Sequence, residues 1–424
     1  MTIFKRSYWT LLMLTLVYAV SLIDRSVIGI LLDAIKQDMQ VSDTVMGLVT
    51  GFGFAVLYGL AGIPIAVWAD YGNRRNIVAM GLMVFSLATS LTGFAANIYH
   101  ILVGRLFLAA GEATQLAPSV SMLADEFPSK TRGRAMALFG AGPSLGIILG
   151  LSVAGYLNAQ YGWRTTLMLL GLPGLIMAIL VRFTLLEPAR KTSQGEVVGD
   201  KKFPLSFTTA FLFRQSTFVC MLFATALNAW PLFGTTIWGP AFMGRVHGLT
   251  SAQNGLLFGL VFGLLGFCGA ISGGFIADYL GRQFEQRKLI FPAIAAALVF
   301  PAQLVFLLSD SLWLVIAALG IAAFMANTQF GPVWAVMQSV SPLRMRATAA
   351  ACFQLLLNLI GLGLGPFLVG YLTDSFSDTY GGQAIRYAML LLPMAALGSS
   401  ALLFMASRHV IRDMEKAGQL DADN

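Results

Sequence analysis

An all-α membrane protein of twelve transmembrane helices, arranged as two six-helix repeats, is the fold class this sequence predicts. Three observations carry it. The chain is 57% hydrophobic and only 11% charged, whereas soluble domains carry about 25% charged residues. Its apolar residues fall in twelve runs of about 20 or more, each able to cross a ~30 Å hydrocarbon core as a helix. The two halves of the chain also repeat. Asp70 in AVWADYGNRR matches Asp278 in GGFIADYLGR, Gln115 and Pro118 match Gln329 and Pro332, and Arg134-Ala135 matches Arg346-Ala347. Gly155-Tyr156-Leu157 matches Gly370-Tyr371-Leu372 in the same way, so the repeat runs along a whole half.

The spans are expected at 8–32, 44–68, 76–95, 98–124, 133–158 and 163–186. After a polar stretch the second set follows at 210–243, 251–277, 288–308, 311–339, 346–373 and 385–407. This divides the chain into a first bundle, 1–186, a cytoplasmic linker, 187–209, a second bundle, 210–407, and a tail, 408–424, expected to fray. The first run follows Lys5 and Arg6 as a signal peptide's would. It is too long for such a segment and carries charges, so it reads as a mature helix. Parallel six-plus-six repeats place a substrate site between the halves, near the bilayer midplane.

The net charge of +7 does not point to nucleic acid once its distribution is read. Of 27 Lys and Arg, only Lys36, Arg164, Arg245 and Arg386 lie on one side, and Arg25 and Arg105 lie inside spans. The rest gather at the two ends of the chain and on the opposite side. The positive-inside rule then puts both termini in the cytoplasm, and a bacterial inner membrane is the expected location. Cys220, Cys268 and Cys352 sit in apolar helices without metal-ligand spacing, so packing is their expected role and no metal is implied. There is no GxxxxGK[ST], and the glycines of GLGLGPFLVG (361–370) fall inside a span with no strand before them. Neither a nucleotide nor any other cofactor is expected.

Four ionisable residues lie in the middle of spans: Asp24 and Arg25 in the first, Arg105 and Glu112 in the fourth. A charge near the bilayer centre costs about 2.5–3.5 kcal/mol on insertion scales, and such residues mark substrate and proton pathways. Asp24 and Arg25 point about 100° apart and so serve two partners. Arg105 and Glu112 are seven residues apart, on one face. A purely structural ion-pair knot is the competing reading. An acid between helices is the usual proton site of a secondary transporter, with Glu112 the first choice and Asp24 the second. Arg25 is the expected anchor for an anionic cargo, leaning on Asp24 or Glu112 when empty, and Arg105 is its rival. At 1.5 Å per residue, Asp24, Arg25 and Arg105 share a level and Glu112 lies one to three turns below. A direct Arg25–Glu112 contact therefore needs helix tilt or a long reach.

Thr114 and Gln115 extend this candidate binding set in the first half. The second half contributes no buried charge, only polar and aromatic candidates: Asn228, Trp230, Gln329 and Asn358, with Thr235, Asn327 and Gln354 nearby. Each alone is as readily an interhelical hydrogen bond. Pro231 breaks the seventh span where bending would gate a cavity. Asp70 and Asp278 recur at the same ends of spans 2 and 8 and are expected to act as latches, accompanied by Arg74, Arg75 and Arg282.

These residues carry a resemblance. The loop with Asp70, Arg74 and Arg75, its second copy from Gly274 to Arg282, RLFLAAG (105–111) and GPSLG (142–146) resemble signatures of the major facilitator superfamily. The first loop departs from the pattern at Ala66 and Tyr71. Within that superfamily, LIDRSVIG and RLFLAAGEATQLAPSVSMLADEFP running into TRGRA are similar to the spinster-like transporters. The resemblance implies Asp24, Arg25, Arg105 and Glu112 as the functional charged set, and lysophospholipids or sphingoid phosphates as a cargo class.

The function expected is a proton-coupled secondary active transporter of an amphipathic organic anion or lysolipid, working by alternating access as a monomer in the lipid bilayer. The alternative is a proton-coupled transporter of small carboxylates, sugar acids or drugs. An enzyme is not expected, because no Ser/His/Asp or His/Asp set is present. A channel or scramblase would differ in carrying cargo without regard to the proton gradient.

Overall fold

The computed structural model describes residues 3–188, 204–282 and 284–422, and every regular element among them is a helix. Nine runs of the described residues are long and apolar enough to cross a membrane, beginning with Arg6–Met39 and ending with Thr348–Asp421. The chain forms two compact units. The first joins Met1–Glu196 to Thr236–Leu264, and the second joins Val197–Thr235 to Leu265–Asn424.

In the first unit, helix Ile3–Met39 packs against helix Gly142–Thr184. Gly142, Gly146 and Gly150 recur every four residues on one face of the second helix. A Cβ on Gly146 would lie 2.1 Å from the Ala19 carbonyl oxygen, and one on Gly142 would lie 2.6 Å from that of Thr15. Small residues at this spacing let two backbones touch, which pins the height and rotation of the helix carrying Asp24 and Arg25. Helix Gly142–Thr184 spans 43 residues but is interrupted at Gly162, whose φ of +76° is left-handed. Glycine alone adopts that conformation without a Cβ penalty, so the chain turns there between the spans expected at 133–158 and 163–186, the first of which begins in the separate helix Ser129–Gly140.

The fourth span is likewise two helices, Ile98–Ala113 and Leu116–Glu126, separated at Thr114 and Gln115. Pro118 has no N–H to offer the Thr114 carbonyl four residues back, and its ring crowds that carbonyl. The break therefore falls just after Glu112. Asn97 caps the start of Ile98–Ala113 by accepting from His100 N at 3.0 Å, and Asn73 caps Arg74–Thr92 by accepting from Asn76 N.

The second unit has a break of the same construction. Helix Leu312–Asn327 stops at Thr328 and Gln329, and Phe330–Ser339 resumes with Pro332 four residues after Thr328. The Thr328 hydroxyl donates to the Met325 carbonyl at 2.7 Å, as the Thr114 hydroxyl does to that of Gly111. The core of this unit includes Phe218 and Phe353, which meet edge to face at 5.4 Å.

Two expectations are corrected here. Residues 408–422 of the tail expected to fray are helical, the continuation of helix Leu391–Ala422. Val410, Asp413 and Ala417 are buried, and the Asp413 carboxylate accepts from Thr217 N at 2.9 Å. An acid at a helix N-terminus satisfies an orphan N–H and the helix dipole together, so the tail has a docking partner. The seventh span begins at Ser216, not at 210. A separate helix, Leu205–Arg214, precedes it across the extended Gln215. Most of the 187–209 linker lies outside the described residues.

Candidate functional site

The first unit gathers the four charged residues. Asp24, Arg105 and Glu112 are each about 5% exposed. Arg25 forms an ion pair with Glu112, Nη2 to Oε1 at 2.7 Å, and its side chain is 18% exposed. This selects Glu112 over Asp24 as the partner of Arg25. The expected difference in level is bridged by side-chain direction. Helical side chains lean toward the N-terminus of their own helix. On the alternating topology expected from the sequence, Arg25 and Glu112 lean toward each other.

The aromatic wall around Arg25 was not anticipated from the sequence. Its guanidinium carbon lies 5.1 Å from the Phe54 ring centroid and 4.9 Å from that of Tyr58. The two rings stack on each other at 5.7 Å, four residues apart on one helical face. A cation over such faces gains about 0.5–2 kcal/mol, more as water is removed. The FAVLY spacing was the available signal, but an i,i+4 aromatic pair in an apolar run reads as core until a cation is placed over it. The two rings flank the guanidinium that pairs with Glu112.

The remaining acceptors are conspicuous. Both carboxylate oxygens of Asp24 and Oε2 of Glu112 are buried without a hydrogen-bond partner among the described residues. The charges acting on Asp24 are Arg105 and Glu112, with Thr89 the neighbouring hydroxyl. Arg105 makes no ion pair within 4.0 Å among the described residues. A buried acceptor with no donor costs free energy. The cluster therefore has one paired acid, one acid without a donor and two cations.

Thr114 and Gln115 sit at the helix break beyond Glu112, and their donors are engaged within the fold. Thr114 donates to Gly111 O at 2.7 Å, and Gln115 Nε2 donates to Thr114 Oγ1 at 2.8 Å. Gln115 Oε1 is left buried with no donor among the described residues.

In the second unit, Asn228 and Gln329 meet directly. Gln329 Nε2 donates to Asn228 Oδ1 at 2.9 Å, and Asn228 Nδ2 donates to the Ala326 carbonyl at 3.0 Å. Both line a narrow cavity of about 80 Å³ with Asn327, Phe233, Phe330 and Trp334. Trp230 donates its indole N–H to the Ile360 carbonyl at 2.7 Å, and Asn358 is buried in the π-helical segment Leu357–Leu364.

The residues expected to gate divide into separate environments. Arg74 is 2% exposed and tied into the first unit: it pairs with Asp125 and with Glu187 at 2.7 Å, and donates to the Pro188 carbonyl at 3.0 Å. The Arg75 backbone N–H donates to Glu187 Oε2 at 2.9 Å. Asp278 is exposed and has no ion pair among the described residues, and Arg282 lies over the Tyr279 ring. The side chain of Asp70 lies outside the described residues.

Residues 14–366 match the model of the Major Facilitator Superfamily. The chain is 28% identical to an MFS-type efflux pump of Mycolicibacterium smegmatis over 97% of its own length and 95% of that protein's. It is 25% identical to the probable galactarate/D-glucarate transporter of Bacillus subtilis, covering 87% of this chain and 86% of the other. Among solved structures, it matches a bacterial homologue of the human lysosomal transporter Spinster in an inward-facing, unoccupied conformation. The TM-score is 0.88 at 25% identity, and the match covers 96% of this chain and 98% of that one.

Proposed function

The chain belongs to the Major Facilitator Superfamily, and we propose that it is a proton-coupled secondary active transporter that moves an amphipathic organic anion, lysolipids included, by alternating access. As a member of that family it is a multi-pass membrane transporter and not an enzyme. The observation that carries the finer reading is the buried Arg25–Glu112 pair set against the Phe54 and Tyr58 rings. A planar guanidinium grips a carboxylate or phosphate through two parallel hydrogen bonds. An arriving anion competes with Glu112 for Arg25, Glu112 loses its counter-charge, and protonation becomes favourable. Asp24, beside Arg105, is the second proton site. Thr114, Gln115, Asn228, Trp230, Gln329 and Asn358 are assigned cargo contacts, and Asp70, Arg74, Arg75, Asp278 and Arg282 the gating set.

Twelve spans in two repeats are the architecture proposed here, and several features support it. Beyond the nine apolar runs, the helix pair 98–126 adds a crossing, and the Gly162 break divides another run. The run Thr348–Asp421 divides into two stretches of spanning length, the consecutive segments from Arg346 to Tyr380 and helix Leu391–Ala422. The matched Thr-Gln-x-x-Pro breaks at 114–118 and 328–332 support duplication. The distribution of Lys and Arg supports cytoplasmic termini, and we assign the protein to a bacterial inner membrane as a monomer.

A second reading has its own support. The similarity to a probable galactarate/D-glucarate transporter favours a small carboxylate or sugar acid at the same Arg25. Counterflow and pH-gradient-driven uptake in proteoliposomes separate the two when a lysolipid panel is run beside a sugar-acid panel. Saturable uptake of a panel member that collapses when the proton gradient is dissipated supports the transporter. Flux that neither saturates nor responds to the gradient contradicts it.

A further inference from the structure

Helices Arg74–Thr92 and Ile98–Ala113 of the first unit enclose a groove of about 490 Å³ between them. Its origin lies in two stripes of sequence. Val84, Leu87, Ala88 and Leu91 recur at the spacing of one helical face, and His100, Val103, Gly104 and Phe107 repeat that spacing on the second helix. Small residues make the floor: Ala88 and Ala95 are buried, and a Cβ on Gly104 would lie 2.2 Å from Thr92 Oγ1. Larger ones, Leu87, Leu91, Val103 and Phe107, stand exposed as walls.

The body of the groove is apolar. The Thr92 hydroxyl donates within its own helix, to the Ala88 carbonyl at 2.7 Å. Apolar cavities stay dry, and in a multi-pass membrane transporter the molecule that reaches exposed apolar walls is lipid. Lipid tails are as apolar as leucine, so a chain gains little by leaving the bilayer for the groove. Selection of one molecule has to come from the groove's polar end.

That end lies at the turn 93–97. His100 Nδ1 accepts from Ala96 N at 3.3 Å, so the neutral ring carries its hydrogen on Nε2 and presents a donor. Arg164 Nη2 donates to the Ala95 carbonyl at 3.2 Å, and Nη1 pairs with Asp38. A Cβ on Gly93 would lie 2.6 Å from the Arg164 carbonyl oxygen, which holds the turn against this residue. The Arg164 side chain remains 41% exposed. Phe94 and Tyr99 are exposed beside His100, as aromatic side chains are at headgroup level. A cation and a donor at the end of an apolar groove complement an anionic group that carries an apolar chain.

We propose that this groove is a resident phospholipid site, with one acyl chain between helices Arg74–Thr92 and Ile98–Ala113 and the phosphodiester against His100 Nε2 and the Arg164 guanidinium. From His100 to Phe107 the groove runs roughly 10 Å along the helix, which takes the chain from headgroup level into the ~30 Å core. Arg105 and Glu112 leave the same helix on the opposite face. The lipid therefore backs the helix that carries the charged site, whichever cargo that site takes.

The test uses full-length protein, delipidated in detergent and titrated with phosphatidylglycerol or with diacylglycerol of the same chains. Native mass spectrometry counts the adducts. One phospholipid should bind before any other and about tenfold more tightly than diacylglycerol, as one hydrogen bond to a charged group provides. His100→Ala should remove most of that preference. Val103→Trp fills the groove from an exposed wall and should abolish the tight adduct, and Leu91→Trp does the same from the facing helix should the first variant not fold. Val305→Trp, exposed on helix Arg287–Leu308 of the second unit, should leave the adduct intact. Equal binding of phospholipid and diacylglycerol means annular lipid only and overturns the site, as does a tight adduct that survives the groove-filling variants. A dimer that forms in place of the adduct and is lost in Val103→Trp assigns the groove to a second copy and also overturns it.

Discussion

Arg25 Nη2 and Glu112 Oε1 lie 2.7 Å apart, joining the first and fourth spans through a pair that the membrane would otherwise make expensive. Removing one partner of a buried pair costs about 3–5 kcal/mol, chiefly by stranding the other charge. The pair is therefore stable when empty but open to exchange with a competing anion. The cargo and proton hypotheses both stand on that property.

The first prediction concerns the anchor. Arg25→Lys keeps the charge and loses the fork, so anionic cargo should bind more weakly but measurably. Arg25→Ala should lose saturable binding of the anion. Equilibrium binding or thermal-shift titration with the transported cargo reads both variants. Parent-like affinity in Arg25→Ala would move the anchor to another residue, with Arg105 next to examine.

The aromatic wall makes a separate contribution. Phe54→Leu or Tyr58→Leu should weaken cargo binding roughly two- to thirty-fold, the equivalent of the 0.5–2 kcal/mol of a cation over a ring. Tyr58→Phe keeps the face and should cost little. If the leucine variants match the parent while Arg25→Ala does not, the rings are packing and not orientation.

Arg74 and Asp278 should part company in stability. Arg74 is buried and bound to Asp125, Glu187 and the Pro188 carbonyl, so Arg74→Ala should destabilise the protein by about 3–5 kcal/mol. Asp278 is exposed and without an ion pair among the described residues, so Asp278→Asn should stay within about 1 kcal/mol. Thermal unfolding in detergent compares them. Equal behaviour would contradict the separate environments found for the two residues.

Much of this was legible in the sequence. The helical, multi-pass character and the four intramembrane charges follow from hydropathy and the cost of burying charge, whereas the breaks at Thr114 and Thr328 lie inside spans that hydropathy leaves continuous. What escaped is what depends on a partner far along the chain. Phe54 and Tyr58 look like core until Arg25 is brought over them. Arg245 looks like an ordinary helix-end cation until Asp33 and Asp43 close on it. The tail reads as a fraying segment because its polar composition hides that Asp413 finds the N-terminus of a helix nearly two hundred residues earlier. The preference of Arg25 for Glu112 over Asp24 was open because residue counting gives helix height but not the direction in which side chains lean.

The most direct test of the central claim is transport by Glu112→Gln in proteoliposomes, with uphill uptake driven by a proton gradient and gradient-free exchange measured on the same preparation. Glutamine preserves the shape and can accept from Arg25 but cannot release a proton. Uphill accumulation should be abolished while exchange across the membrane is retained to a larger extent. Glu112→Gln protein that accumulates cargo uphill like the parent would remove Glu112 from the proton pathway and contradict the account.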